Sequence, residues 1–346
     1  MFERRLCRRN LPACSPRTAG PQPRDVLRVA PQSWGEASEW GQSPPPSFLG
    51  ETMGFFLDLT INGLMIGSMY ALVALGFVLI YKATSVVNFA QGELVMFGGY
   101  IAAALVTLYH LPLVVGVPLL LGAMVLLGFA VERGVLRPLV GRNVISVVMV
   151  TIGLAQVFQG SAAMVWGAQT INIALPIRLD PYQVGEVFIS PINVVAAVIS
   201  GMFLVGFVYF FRMSRMGIAM RAVANDQQAA MAVGINVRLV FALSWAIAGL
   251  AAGIGGVVWG NMLGVDTHLA LVGLKVFPAV ILGGLDSVPG AVVGGLLIGA
   301  IESVASGYVD PYVGGGTKDF FPYVLMIVAL MIRPYGFFGR EIIERV

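Results

Sequence analysis

Nine apolar runs separated by short polar breaks set the pattern of this chain. They fall at 59–81, 94–108, 113–131, 144–166, 192–211, 239–258, 269–285, 288–305 and 320–332. The longer ones suffice, as helices, to cross the roughly 30 Å of a bilayer's hydrocarbon. The seventh and eighth are short and are split by Asp286-Ser-Val-Pro-Gly290, so they predict either two thin spans or a re-entrant hairpin. The expected fold is therefore an all-α polytopic membrane bundle of about eight or nine transmembrane or re-entrant helices.

The polar breaks orient the bundle. Loop 132–143 carries Arg133, Arg137 and Arg142 against Glu132, and segment 212–238 carries Arg212, Arg215, Arg221 and Arg238 against Asp226. Arg333, Arg340 and Arg345 follow the last run, whereas loop 167–190 has Arg178 against Asp180 and Glu186. An excess of arginine marks the cytoplasmic side, so the first three are read as inside and the fourth as outside. Counting backwards puts the start of the first span outside, which conflicts with Arg4, Arg5, Arg8, Arg9, Arg17, Arg24 and Arg28 ahead of it. Either residues 1–52 are absent from the mature protein, or 88–93 is re-entrant and changes the parity. Residues 1–52 hold a Pro/Ser run at 43–47 and no apolar core of signal-peptide length. They read as a disordered extension or a start assigned too early, with Met53 as the true start, and 53–346 as a single transmembrane domain.

Composition narrows the class. The 346 residues are 58% hydrophobic and 11% charged, against roughly 25% charged in soluble domains, so too little polar surface exists to coat a soluble particle. The net charge of +3 is spread among loops and tail, which argues against nucleic acid as a partner. The 43 glycines include the small-xxx-small pairs Gly63/Gly67, Gly249/Gly253, Gly256/Gly260, Gly290/Gly294 and Gly295/Gly299, which predict closely packed helices. Cys7 and Cys14, with no histidine nearby, make neither a zinc site nor a disulfide framework. No P-loop, H-E-x-x-H or G-x-S-x-G motif occurs, so no catalytic residue, metal site or cofactor is expected in this chain.

Polar residues at membrane depth are the sharper signal: Asn62, Asn88, Gln91, Glu93, Gln156, Gln159, Lys275 and Glu302. A charge in hydrocarbon costs at least about 2.5–3.5 kcal/mol on insertion scales, so it faces the bundle interior, a partner or a water path. Lys275 and Glu302 sit on adjacent short segments; an ion pair between them and a role in a path stand as alternatives. Asn88, Gln91 and Glu93 fit either a path or an interfacial turn with a helix cap. His110 and His268 fall at external ends and read as interfacial residues. In segment 212–238, Asn225 or Asp226 can cap a short helix and Gly234 can end it. That segment reads either as a solvated loop that only sets topology or as a handle moved by another subunit.

Three stretches together resemble a family. Residues 62–76 followed by Asn88-Phe-Ala-Gln-Gly-Glu93 resemble the opening of the Liv-type permeases of branched-chain amino acid ABC importers. Residues 221–235 resemble their cytoplasmic coupling segment, and residues 277–290, leading to Gly294, Gly295 and Glu302, resemble their late Gly-Gly…Pro-Gly motif. The resemblance covers about 57–334. The family often has histidine where Gln91 stands and glycine where Asp286 stands, and these departures leave the substrate open.

The resemblance implies the permease subunit of an ATP-driven importer in the bacterial inner membrane. A second permease chain, homologous or identical, would complete the translocation path. Two cytoplasmic ATPases would bind and hydrolyse the ATP, and a periplasmic binding protein would deliver substrate. The substrate would be a branched-chain amino acid, with urea, short amides and other amino acids as alternatives. The helix around 227–233 would dock on the ATPase through Asp226, Ala229, Ala230, Gly234 and Ile235, the small residues allowing close approach. Asn62, Asn88, Gln91, Glu93, Lys275 and Glu302 would be candidates for the path. An ion-coupled secondary transporter or channel is the alternative from another class; it predicts paired intramembrane acids or an inverted repeat.

Overall fold

The computed structural model describes residues 48–139, 141–167, 169–173, 180–184 and 187–339. Residues 1–47, including Cys7, Cys14 and the arginine-rich stretch, lie outside the described residues, as do Arg178, Glu186, Arg340 and Arg345. Eleven helices and one hairpin follow in chain order among the described residues: α1 (Phe48–Thr84), α2 (Gln91–Ala103), α3 (Leu113–Val131), α4 (Val144–Trp166), β1 (Tyr182–Val184), β2 (Val187–Ile189), α5 (Pro191–Met213), α6 (Arg215–Asn225), α7 (Gln227–Ala232), α8 (Val237–Leu263), α9 (Leu271–Gly283), α10 (Val288–Val313) and α11 (Thr317–Ile332). Helix α2 continues as a π-helical turn, Ala104–Leu108, and α3 is followed by another, Glu132–Leu136.

Local chemistry explains the helix starts. The Asn143 carboxamide accepts from Ile145 N at 3.2 Å to open α4, and Ser287 Oγ accepts from Gly290 N at 3.1 Å to open α10. Each satisfies a backbone N–H that the first turn leaves without a carbonyl. Pro191 sits at the first turn of α5, where its missing N–H costs nothing.

Apart from Glu93, Lys275 and Glu302, the described charges sort to the two ends. Asp58 and Asn62 near the start of α1 bond β2, and Thr170 bonds Asp266, at the outer end. At the other end, Lys82 Nζ donates to the Asp286 carbonyl, and Thr84, Arg137, Arg142 and Gln227 surround one hollow. The arginine-rich end is the cytoplasmic one. Helix α1 therefore runs inward and α2 outward, joined by residues 85–90 at the inner end. The stretch 88–93 is thus a connection and helix start, not a re-entrant loop. Helix α9 with the 3₁₀ turn before it (Thr267–Ala270) runs from Asp266 outside to Gly284 and Asp286 inside. Residues 269–305 form two packed helices, a short α9 of 13 residues and a full-length α10 of 26. Among the described residues, seven helices are long and apolar enough to cross a membrane, and α9 and α11 are shorter.

Helix α1 is the central strut, with Met69, Ala71, Leu72 and Leu75 among its fully buried side chains. Its glycine pair meshes with that of α10: a Cβ on Gly63 would lie 2.7 Å from Gly299 O, and one on Gly67 2.8 Å from Gly295 O. A Cβ on Gly98 of α2 would lie 2.8 Å from Gly253 Cα of α8. The small faces are thus spent inside the chain, letting backbones touch where lipid offers no hydrophobic drive for association. Helices α3, α4 and α5 are mostly outward-facing, and added Cβ atoms at Gly153 and Gly160 of α4 would meet nothing within 4 Å.

Candidate functional site

Two places gather the candidate residues. The first is the inner segment 212–238. Ser214 Oγ accepts from Gly217 N at 2.9 Å and starts α6, whose Arg221 guanidinium reaches back to the carbonyls of Phe211 and Arg212 and lies 5.5 Å from the Phe211 ring centre. Helix α6 is thereby tied to the end of α5. Asp226 then caps α7, its Oδ1 accepting from Gln228 N at 2.8 Å and Ala229 N at 3.0 Å. Gln227 Nε2 donates to Ala83 O at 3.2 Å, which fixes the start of α7 to the inner end of α1. Gly234 follows at φ +85°, and Asn236 caps α8 by accepting from Leu239 N at 3.2 Å.

The faces of α7 correct part of the sequence reading. Ala230 is only 3% exposed and packs into the bundle, so it does not present a docking surface. Ile235 is half-buried and also packs against the core. Gly234 has open space around it, so its value is the left-handed backbone rather than close approach. Met231 and Val233 are the exposed apolar residues here, at 56% and 77%. The sequence reading missed both, because a six-residue helix is too short for periodicity to reveal which side is buried.

The second place is a cleft of about 310 Å³ between α1, α2, α4 and α9. Glu93, Gln156 and Gln159 line it together with Phe77, Phe89 and Phe277. Phe277 meets Phe77 edge-on at 6.1 Å and Phe89 at 5.9 Å, giving one wall an aromatic surface. Gly92 and Gly273 let α2 and α9 touch beside Glu93: a Cβ on Gly273 would stand 2.5 Å from Gly92 Cα. Glu93 Oε2 is buried without a hydrogen-bond partner. A carboxylate, two amides and an aromatic wall can hold a small molecule with both charged and apolar parts.

The other membrane-depth candidates lie elsewhere. Asn88 and Gln91 form a buried pair: Asn88 Oδ1 accepts from Ala90 N at 3.1 Å, and Asn88 Nδ2 donates to Gln91 Oε1 at 3.4 Å. Gln91 Nε2 reaches Ala248 O at 3.4 Å and occupies space left by Gly76, so this pair joins α1, α2 and α8 rather than lining the cleft. Asn62 spends its amide on Asp58 and Phe188 O at the outer end. Lys275 and Glu302 do not pair. Lys275 Nζ bridges to Asp319 at 2.6 Å on α11, and Glu302 accepts from Tyr70 at 3.2 Å beside the stacked Trp259 ring. Sequence spacing could not foresee α11 lying against α9 and supplying the nearer carboxylate.

A third cluster closes the inner end of the bundle. Glu132, 2% exposed, takes a two-pronged bond from Arg137, Nε to Oε1 at 3.2 Å and Nη2 to Oε2 at 2.9 Å. Both line the inner hollow with Asn88, Thr151 and Gln227.

Residues 59–330 match the family described as branched-chain amino acid transport system / permease component. The chain is 32% identical over 314 residues to the high-affinity branched-chain amino acid transport system permease protein LivH of Escherichia coli K12, covering 86% of this chain and 100% of that one. It is 34% identical over 308 residues to the corresponding protein BraD of Pseudomonas aeruginosa, covering 84% and 98%. Among solved structures, a chain of PsaBC from Streptococcus pneumoniae in complex with Fab is 13% identical with a TM-score of 0.46, covering 83% of this chain and 96% of that one.

Proposed function

The chain belongs to the branched-chain amino acid transport permease family, and we propose that it moves branched-chain amino acids inward across a bacterial inner membrane, in a complex powered by separate ATPase subunits. A second permease chain, identical or homologous, would cover the open face of α4 around Gly153, Gln156 and Gly160. A periplasmic binding protein would hand substrate to the outer end. ATP would be bound by the ATPases alone.

The observation that carries this reading is the build of α7. It is capped by Asp226, pinned to α1 through Gln227, and joined through α6 to α5 and through Asn236 to α8. Its exposed Met231 and Val233 offer apolar contacts to an ATPase groove, with Ala229 beside them. A rigid helix fixed to three spans transmits a push, and the push can only come from a partner that binds its two states differently. In the cleft, the Glu93 carboxylate suits the substrate ammonium, the amides of Gln156 and Gln159 its carboxylate, and Phe77 and Phe277 its branched side chain. Asn88 and Gln91 support this cleft from behind by fixing the start of α2. Lys275, Glu302 and Asn62 are read as structural.

The test is uptake by the reconstituted complex. Labelled leucine should enter only with ATP and binding protein, and urea should not compete. Glu93→Gln should lower leucine uptake by at least about tenfold, a loss of roughly 1.4 kcal/mol, with assembly unchanged. Full uptake by Glu93→Gln, or urea entering in place of leucine, would overturn the assignment of the cleft.

A further inference from the structure

The cleft and the inner hollow follow one another along a single face of α4. Val144, Val147 and Thr151 line the hollow, and Ala155 and Gln159 line the cleft. Steps of three and four residues set these five side chains on one helical stripe. The stripe runs from the arginine-rich end into the cleft, with Thr151 midway. Phe89 and Thr151 meet at that midpoint. The Phe89 ring lines the cleft, 5.9 Å from that of Phe277, while the preceding Asn88 lines the hollow. Thr151, 1% exposed, accepts from Phe89 N at 3.4 Å and donates to Val148 O at 2.8 Å. Among the described residues, this 3.4 Å bond is the one hydrogen bond from 85–90 to α4. A long bond between neutral groups is readily exchanged. On its other side α2 is held at backbone contact by Gly92 and Gly273. The wall between the two spaces is therefore a contact that can part.

We propose that Phe89 and Thr151 form the inner gate of the transport path and that the hollow, about 130 Å³, is its exit vestibule; this rests on reading the cleft as part of that path. The vestibule has one braced wall and one movable wall. The braced wall is the end of α3, where Arg137 grips Glu132 with two bonds. The movable wall is α7 with the inner end of α1. Gln227 lines the hollow and donates to Ala83 O, and Ile80 and Thr84 line it from α1. Residues 85–90 join that end of α1 to α2 and carry Phe89. A displacement of α7 therefore reaches the gate through the backbone alone. Once Phe89 withdraws from Thr151, the two spaces join along the α4 stripe, about 18 Å from Val147 to Gln159.

Accessibility of single cysteines in the reconstituted complex tests this without any solute. Cys7→Ser and Cys14→Ser remove the two cysteines of this chain. A membrane-impermeant maleimide is then applied from the cytoplasmic side, and labelling of this chain is read by mass. Val147→Cys, in the vestibule, should label in every nucleotide state. Gln159→Cys, in the cleft, should label at least about tenfold faster in one of two states, nucleotide-free or trapped with ATP and vanadate, than in the other. Thr151→Val keeps the volume but removes the acceptor for Phe89 N. It should speed labelling of Gln159→Cys in the slow state about threefold or more, and Thr151→Ser should keep the slow rate. If Thr151→Val does not fold, the comparison of nucleotide states decides. Equal labelling of Gln159→Cys in both states, or no effect of a folded Thr151→Val, would overturn the gate. An unlabelled Val147→Cys would make the hollow a closed structural void and overturn the vestibule. Labelling that switches in a complex unable to carry leucine would keep the gate and overturn the substrate alone. Leucine uptake without the switch would overturn the gate alone.

Discussion

The meshing of α1 with α10 makes a quantitative demand on Gly67. In Gly67→Ala the new methyl would sit 2.8 Å from Gly295 O and 2.8 Å from Leu296 Cα, whereas comfortable carbon contacts lie at about 3.5–4.0 Å. Both neighbours are backbone atoms, so neither can swing aside, and the helices must part by the better part of an ångström. Overpacking of this kind costs about 1–3 kcal/mol, and the better helix propensity of alanine returns up to about 1 kcal/mol. The net loss is about 1–2 kcal/mol, or five- to thirty-fold in the folded-to-unfolded ratio. Gly153→Ala is the matched control, because a Cβ there meets nothing within 4 Å. It keeps the propensity gain without the clash and should be neutral or slightly stabilising in the isolated chain. The assay is unfolding of the purified chain in mixed micelles by added SDS, followed by helical circular dichroism. Gly67→Ala should unfold at clearly lower SDS than Gly153→Ala. If the two variants unfold together, the helices do not pack as described.

The coupling reading predicts that Asp226→Ala, which removes both bonds capping α7, destabilises that helix by about 0.5–2 kcal/mol; uptake per ATP hydrolysed should fall severalfold with the protein still inserted, and unchanged coupling would count against α7. Arg137→Ala leaves the buried Glu132 carboxylate without its partner. Removing one member of a buried pair costs about 3–5 kcal/mol, but the arginine is one-third exposed, so about 1–3 kcal/mol is expected in SDS unfolding, and no change would mean that Glu132 finds another donor. The half-exposed Lys275–Asp319 bridge should show a coupling of no more than about 1 kcal/mol in a double-mutant cycle, while the Lys275–Glu302 cycle, with no direct contact between the two, should show less; the reverse ranking would restore the pairing suggested by sequence.

What the sequence reveals follows from how local each feature is. The spans are legible because each is one uninterrupted apolar run, and the inner and outer ends because arginines crowd one set of breaks. The α7 start is legible because Asp226 bonds backbone only two and three residues away. The gathering of Glu93, Gln156 and Gln159 is not, since it depends on α2 and α4 meeting alongside α9. For the same reason the glycine pairs announce close packing without naming partners, and Gly92 with Gly273, which sets the cleft, belongs to no small-xxx-small pair noted in the sequence. Lys275 found its carboxylate on a helix that spacing gave no reason to place beside it. Ala230 and Met231 differ in exposure because of how α7 leans on the bundle, which six residues cannot encode in a repeat.

The α1–α10 contact also has a consequence for how the molecule is made. Tyr70 and Glu302, which meet across it, lie 232 positions apart in the chain. At translation rates of about 5–20 residues per second, α1 waits roughly 10–50 s for α10 to emerge from the ribosome. Through that interval its notched glycine flank has no native mate. The newborn segment must lodge against lipid or an insertion factor, and a slow patch in the intervening message would lengthen its exposure.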